Sequence, residues 1–264
     1  MFKKKKILTI IFLYIIISSS VFADNKVAYL NLDYILSNTN IGKITLEKLE
    51  KFEKEFAKFH NRKYGLMTTN CTQALHLILH SLGIKKGHNV VNQECTWAAS
   101  AAAVLYTGAK NLFVDVSNDH WCMSLESLKK KVNKNTKAVI STGIYGNMPE
   151  LDKIEKFCRK KKIFLIEDAA ESLGSVYKNK KSGKFGIASA FSFHRTKTIT
   201  TGEGGMITTN NKNLFKLCRE YRDHGHENNP KYPRGRDTHR IYGFNYRVSE
   251  IVGAIGLVQL KKMG

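Results

Sequence analysis

The stretch Lys137–Ala170, "KAVISTGIYGNMPELDKIEKFCRKKKIFLIEDAA", reads as strand, helix, strand. "KAVISTG" and "IFLIEDAA" are short apolar runs, and "ELDKIEKFCRK" between them is helical. The same alternation extends from Tyr64 to Ile207. Upstream, "KYGLMTTN" leads into the helix "CTQALHLILHSLGI", "HNVVNQ" is a strand, and "TWAASAAAVLYTG" is a small-residue helix ended by Gly108. "NLFVDV" is a strand and "SLESLKKKV" a helix. Downstream, "ASAFSFH" and "GMITTN" form a strand pair near the end of the sheet. The polar stretch Asn228–Arg240 is a long loop, and "VSEIVGAIGLVQLKKM" is a final helix capped by Ser249. Apolar strands alternating with helices predict an α/β fold with a mostly parallel sheet and helices on both faces. In such sheets a ligand sits off the carboxyl ends of the strands.

Three features fall at that edge. "LIEDAAES" places Asp168 directly after Phe164, Leu165 and Ile166. In "SFHRTKTITTGEGGM" (Ser192–Met206), Lys197 follows the run Ala190, Phe191, Phe193 and precedes Gly202, Gly204 and Gly205. Thr72 opens a helix after Thr68, Thr69, Asn70 and Cys71. Singly, each has a plainer reading: a metal ligand or helix cap for Asp168, a solvated lysine, a capping threonine. Together, an acid, a lysine and a helix start at one edge are what pyridoxal phosphate requires. The lysine condenses with the aldehyde, a buried carboxylate keeps the pyridine nitrogen protonated, and amides and hydroxyls at a helix start hold the phosphate. An aromatic ring usually covers the cofactor, and Trp97, at the end of a strand in "ECTW", is placed for it; alone it would read as core.

The segments "GAKNLFVDV", "YGNMPELDKI", "IEDAAESLGS", "FSFHRTKTITTGEGGMI" and "GFNYRVSEIVGAIGLVQL" resemble the DegT/DnrJ/StrS family of nucleotide-sugar aminotransferases, which are fold-type-I pyridoxal phosphate enzymes. The resemblance covers Leu49 to Leu260. "ECTWAASA" and "TKTITTGEGGM" look most like the perosamine-synthase branch, whose substrate is a GDP-linked 4-keto-6-deoxy sugar. The resemblance implies roles for particular residues. Lys197 matches the Schiff-base lysine and Asp168 the partner of the pyridine nitrogen. Glu171 stands near the phenolic oxygen, and Trp97 matches the stacking ring. Cys71 and Thr72 match the phosphate turn, where a Cys in place of Gly makes a positive φ costly. Ser192 matches a phosphate-binding hydroxyl. Asn245 and Arg247 lie in the segment that reaches the neighbouring subunit's phosphate in the family homodimer. The implied reaction is transfer of an amino group from glutamate to a sugar ketone, with Lys197 moving the proton. Family dehydratases hold histidine at the lysine position, so Lys197 argues for transamination. Gly202, Gly204 and Gly205 are expected to allow close backbone packing beside the cofactor.

Composition narrows the alternatives. Lys and Arg number 43 against 22 Asp and Glu, a formal charge of +21. The basic residues are spread through short tracts, with no nucleic-acid motif and no basic stripe interleaved with aromatics, which predicts a solvated lysine-rich surface. The five cysteines are odd in number and lack CxxC spacing, which argues against structural zinc or a disulfide framework and suits the cytosol; no metal site is expected. The N-terminus points elsewhere. Lys3–Lys6, the apolar run Ile7–Ile17 and Val21-Phe22-Ala23 form a secretory signal peptide over residues 1–23, which predicts export, with no membrane attachment after cleavage. Residues 24–43, with an alternating strand at Val27, Tyr29 and Asn31, resemble the start of OmpH/Skp-type periplasmic chaperones. "LEKLEKFEKEFAKFHN" is an amphipathic helix with Leu46, Leu49, Phe52, Phe56 and Phe59 on one face. The expected organisation is therefore signal peptide, chaperone-like segment, and from residue 44 to 264 an aminotransferase large domain without the family's small C-terminal domain. The competing readings are an inactive chimeric or truncated chain and an exported chaperone-like binding protein with a coiled coil.

Overall fold

A computed structural model describes residues 40–227 and 239–263, with side chains from Glu47 onward. The signal peptide, the Val27–Asn31 strand, the side chain of Leu46 and most of the Asn228–Arg240 loop lie outside the described residues. The elements run α1 (Asn40–Phe59), β1 (Tyr64–Thr68), α2 (Cys71–Ser81), β2 (Asn89–Gln93), α3 (Ala99–Tyr106), β3 (Lys110–Val114), α4 (Leu125–Lys131), β4 (Thr136–Thr142), α5 (Leu151–Lys161) and β5 (Phe164–Asp168). A two-stranded ribbon follows, β6 (Val176–Tyr177) with β7 (Lys180–Lys181), then β8 (Ala188–Ser192), β9 (Gly205–Thr209), α6 (Lys212–Arg222) and α7 (Glu250–Leu260).

Seven strands form one sheet in the order β1-β9-β8-β5-β4-β2-β3. β3, β2, β4, β5 and β8 are mutually parallel, and β9 runs antiparallel to both β8 and β1. Side chains on a strand alternate between faces, so the apolar strands bury both. Ile140, Ile166, Ala190 and Ile207 share one cluster with α2 and with Ala103 and Val104 of α3. Their neighbours Val139 and Leu165 pack on the other face with Leu128 of α4 and Ile154 and Cys158 of α5. On that second face α1 and α7 cover Met67, Phe191, Phe193 and Met206.

The chaperone-like coiled coil is not what α1 forms. Phe52 and Phe56 are fully buried, and Phe56 meets Phe191 and Phe193 edge-on at 4.9 and 5.2 Å between ring centres. Leu49 and Phe59 are partly buried at the margin of the same cluster. The helix also begins at Asn40, earlier than its hydrophobic face suggests. α7 docks on it through glycine: a Cβ on Gly253 would stand 2.5 Å from Leu49 Cα, and one on Gly256 2.4 Å from Phe52 Cε1. Ser249 occupies the cap position of α7 but makes no side-chain capping bond, while the Leu49 amide donates to Glu250 Oε2 at 3.0 Å. All five cysteines are free thiols. Among the described residues, no helix is long and apolar enough to cross a membrane.

Candidate active site

β5 and β8 deliver their last residues to one edge of the sheet, where they meet the start of α2. Asp168 ends β5. Its carbonyl accepts from Gly143 N at 3.1 Å, which ties it to the end of β4. Its side chain points to the α2–α3 face and is buried. Oδ2 accepts from Ser100 Oγ at 2.7 Å, Oδ1 from Ala170 N at 3.1 Å, and the Cys71 thiol stands 4.0 Å from Oδ1. Burial raises the carboxyl's affinity for a proton; the Ser100 and Ala170 donors and the charge of Lys197 pull the other way. Among the described residues Asp168 has donors but no ion-pair partner.

Lys197 lies on the connection from β8 to β9. The turn is pinned by Phe193 N to Gly204 O at 2.9 Å, Thr201 N to Phe193 O at 3.0 Å and Lys197 N to His194 O at 2.9 Å. Lys197 Nζ reaches Glu171 Oε1 at 3.2 Å, both side chains about a fifth exposed (21% and 23%). Of the glycines that follow, Gly204 and Gly205 pack closely as expected and Gly202 does not: a Cβ on Gly204 would lie 2.6 Å from Thr201 Oγ1. A Cβ on Gly205 would lie 2.4 Å from the carbonyl of Asn70, so this glycine lets β9 press against the turn into α2. Gly202 faces open space and is needed for its φ of +84°.

That turn ends with Asn70, not Thr72, as the cap of α2: Asn70 Oδ1 accepts from Gln73 N at 2.9 Å. Cys71 and Thr72 are thus the first residues of the helix, where backbone amides have no partner within the helix. Cys71 is absent from the positive-φ residues, so its side chain costs nothing there. Its thiol is held well above the ordinary range by burial and then by the neighbouring Asp168 charge.

These groups line one cavity of about 610 Å³, with Asn70, Cys71, Thr72, Trp97, Asp168, Glu171, Ser192 and Lys197 all on its wall. Trp97 is not at a strand end. β2 stops at Gln93, and the indole sits in the loop before α3, 78% exposed at the cavity mouth. Ser192 Oγ accepts from His194 N at 3.3 Å. Asn245 and Arg247 do not line this cavity. Asn245 bridges to Asp223 through its backbone, and Arg247 Nη1 pairs with Asp223 Oδ1 at 2.7 Å.

Sequence reasoning missed Ser100, Thr142 and Tyr145. Thr142 lines the cavity, and its buried hydroxyl has no hydrogen-bond partner among the described residues. That orphaned hydroxyl, a buried carboxylate without a cation, a primary amine and a helix start in one cavity fit a phosphorylated pyridine aldehyde. No group of three or more His, Cys, Asp or Glu side chains among the described residues could hold a metal ion.

Residues 32–264 match the DegT/DnrJ/EryC1/StrS aminotransferase family. GDP-perosamine synthase of Escherichia coli O157:H7 is 41% identical over 214 residues, 81% of this chain and 57% of that protein. GDP-perosamine synthase of Caulobacter vibrioides is 39% identical over 227 residues, 85% of this chain and 58% of that protein. The chain thus spans a little over half the length of these relatives. Among solved structures, an aminotransferase from Psychrobacter cryohalolentis superposes with a TM-score of 0.80 at 30% identity, covering 89% of this chain and 62% of that one. Helicobacter pylori PseC, an aminotransferase involved in the biosynthesis of pseudoaminic acid, gives 0.76 at 31% identity, covering 86% and 63%. The family match over residues 32–264 and these identities over most of its length show that the chain belongs to the DegT/DnrJ/EryC1/StrS aminotransferase family.

Proposed function

We propose that the chain is the cofactor-binding part of a pyridoxal-phosphate-dependent aminotransferase. It would move an amino group from glutamate to the keto group of a nucleotide-linked deoxysugar of the GDP-4-keto-6-deoxymannose type, for synthesis of a surface polysaccharide such as an O-antigen. The observation that carries the reading is the shared cavity, in which Lys197 and the buried Asp168 stand with the start of α2. Pyridoxal phosphate supplies an aldehyde that condenses with amines and a protonated ring that accepts electron density when a proton leaves the adjoining carbon. The chain's own residues do the rest. Lys197 Nζ is the amine that would hold the aldehyde, and it would serve as the base that moves the substrate proton. The Asp168 carboxylate would hold the ring nitrogen, whose positive charge would relieve the cost of the acid's burial. Glu171, paired with Lys197, would meet the phenolic oxygen, and the Trp97 indole would cover the ring. The Cys71 and Thr72 amides, with Ser192, would receive the phosphate.

Asn245 and Arg247 stand outside this cavity, which suits a homodimer in which they serve the partner's site. Exposed Leu105, Tyr106 and Trp121 offer apolar surface for such an association. The free thiols favour a reducing compartment, where nucleotide sugars and glutamate are found, over the exported location that the first 23 residues suggest.

Adding pyridoxal phosphate to the purified protein should produce the visible absorbance band of the lysine-bound cofactor, and glutamate should bleach it. Lys197→Ala should abolish the band. A variant that keeps the band, or a parent protein that never shows it, removes Lys197 from its role.

A further inference from the structure

The segment Ile144–Asn147 makes a tight turn at the cavity mouth. Asn147 N donates to Ile144 O at 2.8 Å, and the two central residues both have positive φ, +48° at Tyr145 and +87° at Gly146. That is the type I′ pattern, whose first central position favours Asn, Asp or Gly because their side chains tolerate left-handed backbone. A bulky aromatic there is strained, and strain kept at a site is a pointer to use. Packing does not explain the tyrosine, whose ring is 87% exposed. It lines the cavity instead, as does the exposed Trp97. The turn is also bolted to the reacting groups. Gly146 N donates to Glu171 O at 2.9 Å, Ser175 Oγ donates to Gly146 O at 2.7 Å, and the Glu171 carboxylate holds Lys197.

We infer that Tyr145 is a substrate-positioning residue, its ring forming the platform on which the apolar face of the sugar rests as its ketone approaches Lys197. This rests on the function proposed above. An aromatic face offers an apolar wall to sugar C–H groups, and a ring with only two side-chain torsions loses little freedom on binding. The anchoring through Glu171 fixes the platform relative to the amine, so the sugar end of the ligand, rather than its nucleotide, is the part within its reach.

The test uses the turn's own chemistry. Tyr145→Asn removes the ring and supplies a residue the turn prefers, so it should raise the melting temperature by about 2–4 °C while weakening the ligand. With cofactor bound, calorimetry should show a GDP-linked hexose binding roughly 10-fold more weakly to Tyr145→Asn, GDP binding unchanged, and Tyr145→Phe close to the parent. Equal weakening of GDP and the GDP-linked hexose overturns the inference, as does no weakening, or Tyr145→Phe losing as much as Tyr145→Asn. A parent protein that shows the cofactor band but binds no GDP-linked hexose also overturns it and leaves the cofactor site standing. Absence of the band instead sinks the reading of the site itself.

Discussion

Glu167 and Asp168 are neighbours on β5, and both carboxyl groups are buried, but the strand sends them to opposite faces of the sheet. Glu167 meets fixed backbone. Oε1 accepts from Gly183 N at 2.8 Å and Oε2 from Phe185 N at 3.1 Å. The same loop is gripped from its carbonyl side by buried Arg62, whose Nε donates to Gly183 O at 2.8 Å and Nη2 to Phe185 O at 2.6 Å. Burial raises the Glu167 carboxyl to about 7 in spite of these donors and the Arg62 charge. Its oxygens are spent on holding a loop. Asp168 is raised by burial as well, but it opens on a cavity and has no ion-pair partner among the described residues. One carboxylate completes a lock within the protein; the other is left for something that enters from outside.

The sharpest way to break the comparison is to neutralise each acid in turn. Asp168→Asn removes the charge proposed to face the ring nitrogen, so glutamate should bleach the cofactor band more slowly, on the order of 10²–10³-fold. Folding should survive, because the substitution also removes a costly buried charge. Glu167→Gln should leave the bleaching rate within a few-fold of the parent. Stopped-flow absorbance decides it: equal losses in the two variants would mean that the faces of β5 are not functionally distinct.

A second measurement sharpens the structural half. Glu167 binds its proton more tightly folded than unfolded, its value rising from 4.5 to about 7. Its contribution to stability is therefore complete below pH 4.5 and is lost as the pH rises through about 7. Glu167→Gln should flatten the parent's decline across that window by up to about 3 kcal/mol. His60 acts in the opposite sense, since burial lowers it from 6.5 to about 4 and its contribution is lost as the pH falls through that lower value. The difference between parent and Glu167→Gln urea midpoints isolates the glutamate. Parallel curves for the two proteins would show that Glu167 does not carry the pH dependence.

This contrast explains what could be read from the chain. The alternation of apolar runs and helices placed the strands, because two-sided burial leaves continuous hydrophobic stretches. The lysine, the acid and the helix start were legible because each follows an apolar run at a strand end or opens an element. Less was legible where the partner is remote. "ED" at 167–168 does not say which acid faces the cavity until the register of β5 against β4 and β8 is known. Arg62 gave no sign of its grip on a loop more than a hundred positions away. The cap of α2 was ambiguous in "TTNCT", where several side chains can cap, and geometry selects Asn70. Trp97 was displaced from its expected strand by the early end of β2 at Gln93.

Ser100 belongs to the same class of hidden partners, and it gives the smallest effect of the three. It lies in the bland run "TWAASAA", 68 positions from Asp168, with nothing in its local pattern to mark it. Its hydroxyl donates to Asp168 Oδ2 at 2.7 Å while buried, and a hydrogen bond to a charged group contributes about 1.5–3 kcal/mol. Ser100→Ala removes support for the anion, so Asp168 should hold its proton to still higher pH, and the protonated ring should be held less well. The Cys71 thiol, 4.0 Å away and a weak donor, is a poor replacement. Cofactor affinity should fall roughly 10-fold, and the pH titration of the visible band should shift. Ser100→Thr, which keeps the hydroxyl, should restore both. A band that titrates alike in Ser100→Ala and the parent would mean that the backbone amide of Ala170 alone positions the carboxylate. The cavity-facing acid would then need no side-chain support from α3.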